Sequence, residues 1–445
     1  MPTYDESREA AGVLFQQKKY AECEHLCDHM LGVTLKDPWI LAMLGSLHSM
    51  NGRFGHAIMF FQRAVNEDKT FSEAWNGLGI ALRSVGQEEA ARQCYEKAIE
   101  IEPKGEYWGN YAGTYINSGE PEKCIEYSKK ALELKPDFPM AHSNMALALL
   151  EMKRWDEGFT EYMYRKTTDF WSQRDYKCPP WDGKPTELLV VHGEQGLGDE
   201  IMFLTCIEDL LKVQKNIVIE VSPRLTGLLT TTFPGIPIHP KPEDILEKYK
   251  PTAYMAMGDL GYWFRRNGQF PRKPYLKSSY SCSTGSRPRI GISWYGGSRK
   301  THSYARNFAI KFWQPIIDCD AEVISLQYGP HGASEAAQMG ITHNQEWIDD
   351  LDKLAAQIKS CDLVVSVCNT TVHMAGALGV PCFVFVPDRA AWRYGVEGEE
   401  MAWYESVRLF RQKKDQPWNE VVDVVAGEID RLLKAGYEGS NDVQP

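Results

Sequence analysis

Four short segments combine glycines, hydroxyls, titratable groups and cations at spacings that suit ligand chemistry. The first, HGEQGLGDEIMF (residues 192–203), follows an apolar run at 188–191 and precedes an amphipathic stretch ending near Lys212. Gly196 and Gly198 would let backbone approach a ligand, and the helix after them offers unpaired N–H groups. Asp199 falls at the N-cap or in the first turn, where the helix dipole stabilises a carboxylate. Two readings stay open there: a plain cap, or an ionised base that takes a hydroxyl proton as a bond forms. The second segment, ISWYGGSRKTHSYARNF (292–308), ends a strand in Trp294 and Gly296 and leads into a loop with Arg299, Lys300, His302 and Arg306. In an acidic protein such a loop suggests an anion, most simply a phosphate, against a solvated loop as the plainer alternative. The third, VISLQYGP (323–330), puts Gln327 and Tyr328 at a strand tip, able to meet a base or sugar. In the fourth, CDLVVSVCNTTVHMAGALGVPCFVFVP (361–387), a buried strand ends at Cys368 and Asn369, Thr370 and Thr371 open a helix. Hydroxyls with free N–H groups at a helix N-terminus suit a diphosphate without a metal. His373 lies one turn in, as a ligand contact or as a core histidine.

Metal chemistry finds little support. The grouping Cys23, His25, Cys27 and His29 lies on a helical repeat rather than in a zinc motif. The Asp350-Leu-Asp352 triplet precedes a helix and reads as an N-cap, so no metal is expected.

These segments must be carried by strands. Short β-branched runs at 188–191, 217–221, 236–239, 253–257, 289–294, 322–327, 363–367 and 382–386 alternate with helical stretches, which implies parallel sheets. Ligands then belong at the carboxyl ends of the strands, where all four segments fall. The Ser- and Gly-rich stretch at 275–288 reads as a hinge between two such sheets. The final stretch, 415–434, reads as a helix able to cross back to the first. Before residue 168 the texture is different. Gly45, Gly79 and Gly113 recur at steps of 34, and Gly52, Gly86, Gly119 and Ala64, Ala98, Ala131 keep nearly the same period. Each unit is a helix, a glycine turn and a second helix stopped by Pro103 or Pro136. Four and a half to five units span roughly residues 8–167, with irregular ends that act as caps. Tyr107, Trp108, Tyr111 and Tyr115 fall on first helices, either as packing or as an aromatic groove for a peptide. Between the halves, 168–185 contains Pro179-Pro180 and Asp182-Gly183 turn chemistry, with aromatics able to staple it against the first strand region.

The chain has 445 residues and a formal net charge of -11, which excludes a general nucleic-acid binder. No apolar run approaches the roughly 20 residues of a membrane span. The N-terminus, MPTYDESREAAG, resembles no export signal, and the eleven cysteines are scattered without a CxxC pair. Reduced thiols and a cytoplasmic location are the expectation.

The period, the small-residue positions and the terminal prolines resemble tetratricopeptide repeats. The segments WDGKP, GEQGLGDEIMF, ISWYGGS, VHMAGALGVP and VRLFRQ, in this order, resemble glycosyltransferases of the GT-B architecture, specifically the heptosyltransferase-like family 9, over nearly all of 186–435. The whole chain is similar to bacterial and phage-type proteins that join such repeats to such a transferase. In architecture alone it also resembles the O-linked N-acetylglucosamine transferases. The resemblance implies an α-solenoid at 1–167, a linker at 168–185, an acceptor-side Rossmann-like domain at 186–282 and a nucleotide-sugar domain at 283–445. It implies Asp199 as the base. It also implies a donor-binding set of Gly196, Gly198, Trp294, Gly296, Arg306, Gln327, Asn369, Thr370, Thr371 and His373, with Arg306 facing phosphate. The family's Asp-Thr-Gly/Ser-x-x-His motif falls on Cys368, Asn369, Thr370 and His373, and the Asp-to-Cys departure argues against ADP-heptose as the donor. The activity implied is inverting, metal-independent transfer from a nucleotide-diphosphate sugar to a hydroxyl of a protein or glycan, with the repeats recruiting acceptor or partner protein. The alternative is a catalytically degenerate nucleotide-binding scaffold. An epimerase would want a GxGxxG that is absent.

Overall fold

A computed structural model describes residues 3–116, 118–167, 175–241, 245–297 and 306–441, with side chains to 435. The chain divides into two compact units: Met1–Ala148 with Tyr164–Trp171, and Leu149–Met163 with Ser172–Pro445.

The first unit is helical. Pairs Pro38–Met50 and Phe54–Glu67, Ser72–Ser84 and Glu88–Ile101, and Gly105–Gly113 and Pro121–Leu134 carry the period. The recurring glycines have two separate causes. Gly52, Gly86 and Gly119 sit in the turns at φ of +70°, +83° and +80°, where a side chain would be strained. Gly45 and Gly79 make room for rings: a Cβ on either would lie 2.9 Å from Phe61 Cγ or 2.6 Å from Tyr95 Cε1. Phe61 and Tyr95 are themselves 34 residues apart, so the period is a repeated ring-into-notch contact between paired helices. The aromatics of the third pair are packing residues rather than an open groove. Tyr107, Tyr111 and Tyr115 are buried. The Tyr111 hydroxyl donates to Glu96 Oε1 at 2.6 Å, and Trp108 stacks on Tyr127. Cys23 and Cys27 belong to the apolar core of the first helices. All eleven cysteines are free and eight are buried.

The second unit holds two parallel sheets. The strands are β1 (Leu189–His192), β2 (Ile217–Val221), β3 (Ile238–Pro240), β4 (Ala253–Ala256), β5 (Arg289–Ser293), β6 (Glu322–Ser325), β7 (Leu363–Val367), β8 (Cys382–Val386) and β9 (Val407–Arg411). Their orders are β3-β2-β1-β4 and β6-β5-β7-β8-β9, all neighbours parallel. The eight expected strands are present and β9 is added. Its arginines, Arg408 and Arg411, break the apolar run that marks its neighbours, as an edge strand permits. In each sheet the chain reverses direction beside its first strand, between β1 and β4 and between β5 and β7. Such switch points open a crevice at the strand carboxyl ends.

Three segments pack differently from the sequence expectation. The terminal helix Trp418–Asn441 does not return to the first sheet through its buried face: Val421, Val422, Val425 and Ile429 join the core of the second. The Trp155–Tyr162 helix, read as the end of the last repeat, lies on the Asp259–Phe264 helix instead. Phe159 fills the notch at Gly261, Trp155 packs edge-on to Phe270, and Arg266 pairs with Asp156 at 2.6 Å. The described part of the linker joins the first sheet, with Trp181 N–H donating to Tyr254 O and its ring against Trp263. The 275–288 stretch has no regular structure but is anchored: Tyr275 and Leu276 N–H groups donate to Ala377 O, and Asp352 accepts from Ser279 N and Oγ. Asp350 is the N-cap of Leu351–Lys359, as its position in the sequence indicated.

Candidate functional site

The loop after β1 turns sharply at Gln195, whose φ of 60° is in the left-handed region and whose amide nitrogen donates to Tyr162 Oη at 2.5 Å. The chain then enters the helix Leu197–Leu204 with Gly196 as N-cap. Asp199 is the third helical residue, and its Oδ2 accepts from Gly196 N–H at 3.3 Å. Its Oδ1 accepts from Arg393 Nη2 in a close ion pair, with both side chains 17% exposed. Burial pulls the Arg393 guanidinium down, but the Asp199 charge and the neighbouring Tyr394 and Tyr162 hold it above its ordinary value. Glu200, next in the helix, is buried. Burial raises its pKa, against Lys241 at 3.2 Å and the Ser222 N–H at 3.0 Å.

The helix after β7, Thr370–Leu378, meets the helix after β1 at Gly198. A Cβ there would lie 2.8 Å from His373 Cδ2, so the glycine is needed for helix–helix contact. His373 is buried, its Nδ1 3.3 Å from Tyr404 Oη. Burial, and then the Arg393 charge, hold it well below the usual histidine range, so the ring is neutral. Asn369 caps this helix. Its Oδ1 accepts from Thr371 N–H at 2.9 Å and Ser366 Oγ at 3.0 Å, while Nδ2 donates to Ser293 Oγ at 2.8 Å and Tyr295 O at 3.2 Å. Gly296 leaves space for that cap, since a Cβ would fall 2.4 Å from Asn369 Cβ. Gln327 is a strut: Oε1 accepts from the Trp294 and Tyr295 N–H groups, and Nε2 donates to Tyr295 O and Tyr328 O. Trp294 is buried with its indole N–H on Glu335. Cys368 is also buried, its thiol toward Phe385 O at 3.4 Å, and burial pushes it up to about 11 against the pull of Arg306. It is therefore a neutral thiol facing β8.

The structure thus brings Asp199, Gly198, His373 and the Thr370–Leu378 N-terminus together at the carboxyl ends of β1 and β7. It uses Trp294, Gln327, Asn369 and His373 largely for internal bonding. Thr370 and Thr371 line a cavity of about 20 Å³ with Leu197, Arg224, Tyr328, Leu351, Leu354 and Met374. That volume holds about one water. Thr371 Oγ1 is buried without a hydrogen-bond partner. Burial raises the Tyr328 phenol, with Thr370, Arg306 and Arg224 opposing. Arg306 Nη1 donates to Cys368 O at 2.8 Å. Arg299, Lys300 and His302 lie outside the described residues. A wider groove of about 970 Å³, lined by Tyr262, Trp263, Arg266 and Phe270 among others, contains none of these residues.

Sequence reasoning missed Arg224 and Arg393. Both follow strand ends, after β2 and β8, so a systematic search for cations at strand carboxyl ends would have found them. It also missed Arg411. From β9 this residue donates to Gly398 O at 2.7 Å and Gly395 O at 3.0 Å, and also to Tyr394 O, fastening the loop that carries Arg393. Among the described residues no cluster of three or more His, Cys, Asp or Glu is placed to hold a metal, and no helix is long and apolar enough to cross a membrane.

Residues 72–104 and 105–138 each match a model described as tetratricopeptide repeat. These helices are tetratricopeptide repeats. The chain is 25% identical over 431 residues to protein FlbA of Caulobacter vibrioides, covering 80% of this chain and 72% of that one. A match of that extent reaches beyond the repeats. It is 26% identical over 141 residues to the mouse protein O-mannosyl-transferase TMTC1, covering 31% of this chain and 15% of TMTC1, within the repeat region only. A small glutamine-rich tetratricopeptide repeat-containing protein 2 of Mycosarcoma maydis is 30% identical over 98 residues, 22% of this chain and 28% of that protein. The chain thus spans under a third of the length of the last two. A tetratricopeptide repeat protein of Thermus thermophilus is similar in structure, at 21% identity and a TM-score of 0.33, covering 38% of this chain and 92% of that one.

Proposed function

We propose that the α/β unit is a GT-B glycosyltransferase of the family 9 type and that the tetratricopeptide repeats recruit the protein acceptor or a partner. One observation carries this reading: a carboxylate on one sheet's switch-point loop lies beside a helix N-terminus on the other's, with arginines around both. A nucleotide-diphosphate sugar binds toward the second sheet, with the diphosphate at Thr370, Thr371 and Arg306 and with Arg224 reaching from the first. The acceptor enters over Asp199. Its oxygen attacks the anomeric carbon while its proton passes to the Asp199 carboxylate. The bond from that carbon to phosphate oxygen breaks, and its electron pair leaves on the nucleoside diphosphate, inverting the centre. The helix N–H groups and the guanidinium charges stabilise the leaving group.

Such a ligand needs a pocket of at least about 300 Å³, so the two helices must part to admit it. The narrow cavity and the buried Cys368 favour a second reading, a nucleotide-binding scaffold without turnover. Donor hydrolysis and transfer measured over a panel of nucleotide sugars, with and without EDTA, decide between them. The transferase reading expects turnover that survives EDTA and falls roughly 10²–10⁴-fold in Asp199→Ala, the usual weight of a general base. Tight nucleotide binding with no turnover of any sugar would establish the scaffold.

A further inference from the structure

Asp199 and Arg393 lie 194 residues apart in sequence, and their ion pair links the first sheet's switch-point helix to the turn after β8. The pair is asymmetric. Asp199 uses both oxygens, one on Arg393 and one on its own helix N-terminus. Arg393 does not use its whole fork: its Nε is buried and has no hydrogen-bond partner. In a guanidinium, Nε–H shares an edge with the Nη2 that holds Asp199, and that edge takes two oxygens of one oxyanion side-on. Half of a two-oxygen contact is therefore made. The missing half is a buried donor, which is costly to leave unmet. The surroundings offer little to compensate. His373 is neutral, Tyr394 and Tyr404 are pushed well up by burial, and Cys368 is a thiol. Asp199 also cannot serve as an efficient base in this arrangement, since its lone pairs are engaged by a cation and a backbone donor.

We propose that Arg393 is an oxyanion-binding residue for which Asp199 and a phosphate group of the ligand compete. Resting on the transferase reading, this assigns the competing group to the donor's diphosphate. Its arrival draws the Nε–Nη2 edge away from the carboxylate, and Asp199 is released as a base only when a leaving group is in place. Before that, the ion pair fastens the two helices over the small cavity.

The test is inorganic pyrophosphate binding to the full chain by titration calorimetry, in wild type, Asp199→Asn, Arg393→Gln and the double variant. Asp199→Asn removes the competitor and is expected to tighten pyrophosphate binding about tenfold, while Arg393→Gln weakens it by at least about tenfold. In the Arg393→Gln background, Asp199→Asn is expected to change affinity by less than about threefold, because the competition has gone. Arg393→Lys keeps the charge without the planar edge; it serves if the glutamine variant does not fold, and it too is expected to lose the gain from Asp199→Asn. Three results overturn the proposal: no tightening in Asp199→Asn, undiminished tightening without Arg393, which would be plain long-range charge, or no pyrophosphate binding by any of the proteins. The coupling with no sugar turnover would remove the transferase reading and leave the anion site. Turnover without the coupling would do the reverse.

Discussion

Asn369→Ala is expected to loosen the N-terminus of the Thr370–Leu378 helix by about 2–3 kcal/mol, and the figure follows from which groups lose a partner. The side chain makes four hydrogen bonds and is buried. Three of its partners keep another: Ser366 Oγ still reaches Val367 O, Tyr295 O keeps Gln327 Nε2, and Ser293 Oγ keeps Gln327 Oε1. Thr371 N–H loses its cap, and caps of this kind are worth about 0.5–2 kcal/mol. The lost links to Ser293 and Tyr295 add roughly another 1 kcal/mol. At about 1.4 kcal/mol per decade, local opening becomes roughly 30- to 100-fold more frequent. Hydrogen exchange measured by mass spectrometry on peptides spanning 363–378 reads this directly. Asn369→Ser can restore the cap but not the sheet links, so it should exchange at an intermediate rate. If Asn369→Ala exchanges within about threefold of wild type there, the side chain is not the strut that its bonds indicate. Equal acceleration in the repeat peptides would mean that the effect is global.

Two further outcomes are expected at the same site. His373 has its pKa held below the unfolded value of about 6.5, so the unfolded chain binds the extra proton first. Its contribution is intact above that pH and is lost as pH falls through 6.5 toward the folded value. Denaturant unfolding of the α/β unit between pH 7.5 and pH 5, compared with His373→Gln, should show a steeper loss in wild type; equal slopes would contradict a buried neutral ring. Arg411→Gln should release the Tyr394–Gly398 carbonyls, raising cleavage by a Glu-specific protease at Glu397 and Glu399 by about tenfold or more. An unchanged rate would mean that the loop is held by other contacts.

The parts of this protein legible in its sequence are those set by short-range physics. The 34-residue period comes from turn glycines and ring notches within neighbouring helices, so Gly52 and Gly86 mark their turns without reference to distant chain. Strands such as β7 and β8, buried along their whole length, betray themselves by uninterrupted apolar residues, and Asp350 by its place before a helix. The placing of candidate segments at strand carboxyl ends was likewise a local inference. Partner identity was not. Asp199 reads equally as cap or base until the turn after β8 delivers Arg393 to it, and that requires five strands in the order β6-β5-β7-β8-β9. The Asn369 amide and the Gln327 side chain look like ligand contacts in sequence because both types have spare hydrogen-bonding capacity at strand tips. Parallel crossovers bring Ser293 and Tyr295 against them, and that capacity is consumed inside the protein. A linear pattern records what a residue can donate or accept; which groups come within reach is a property of how the crossovers stack the strands.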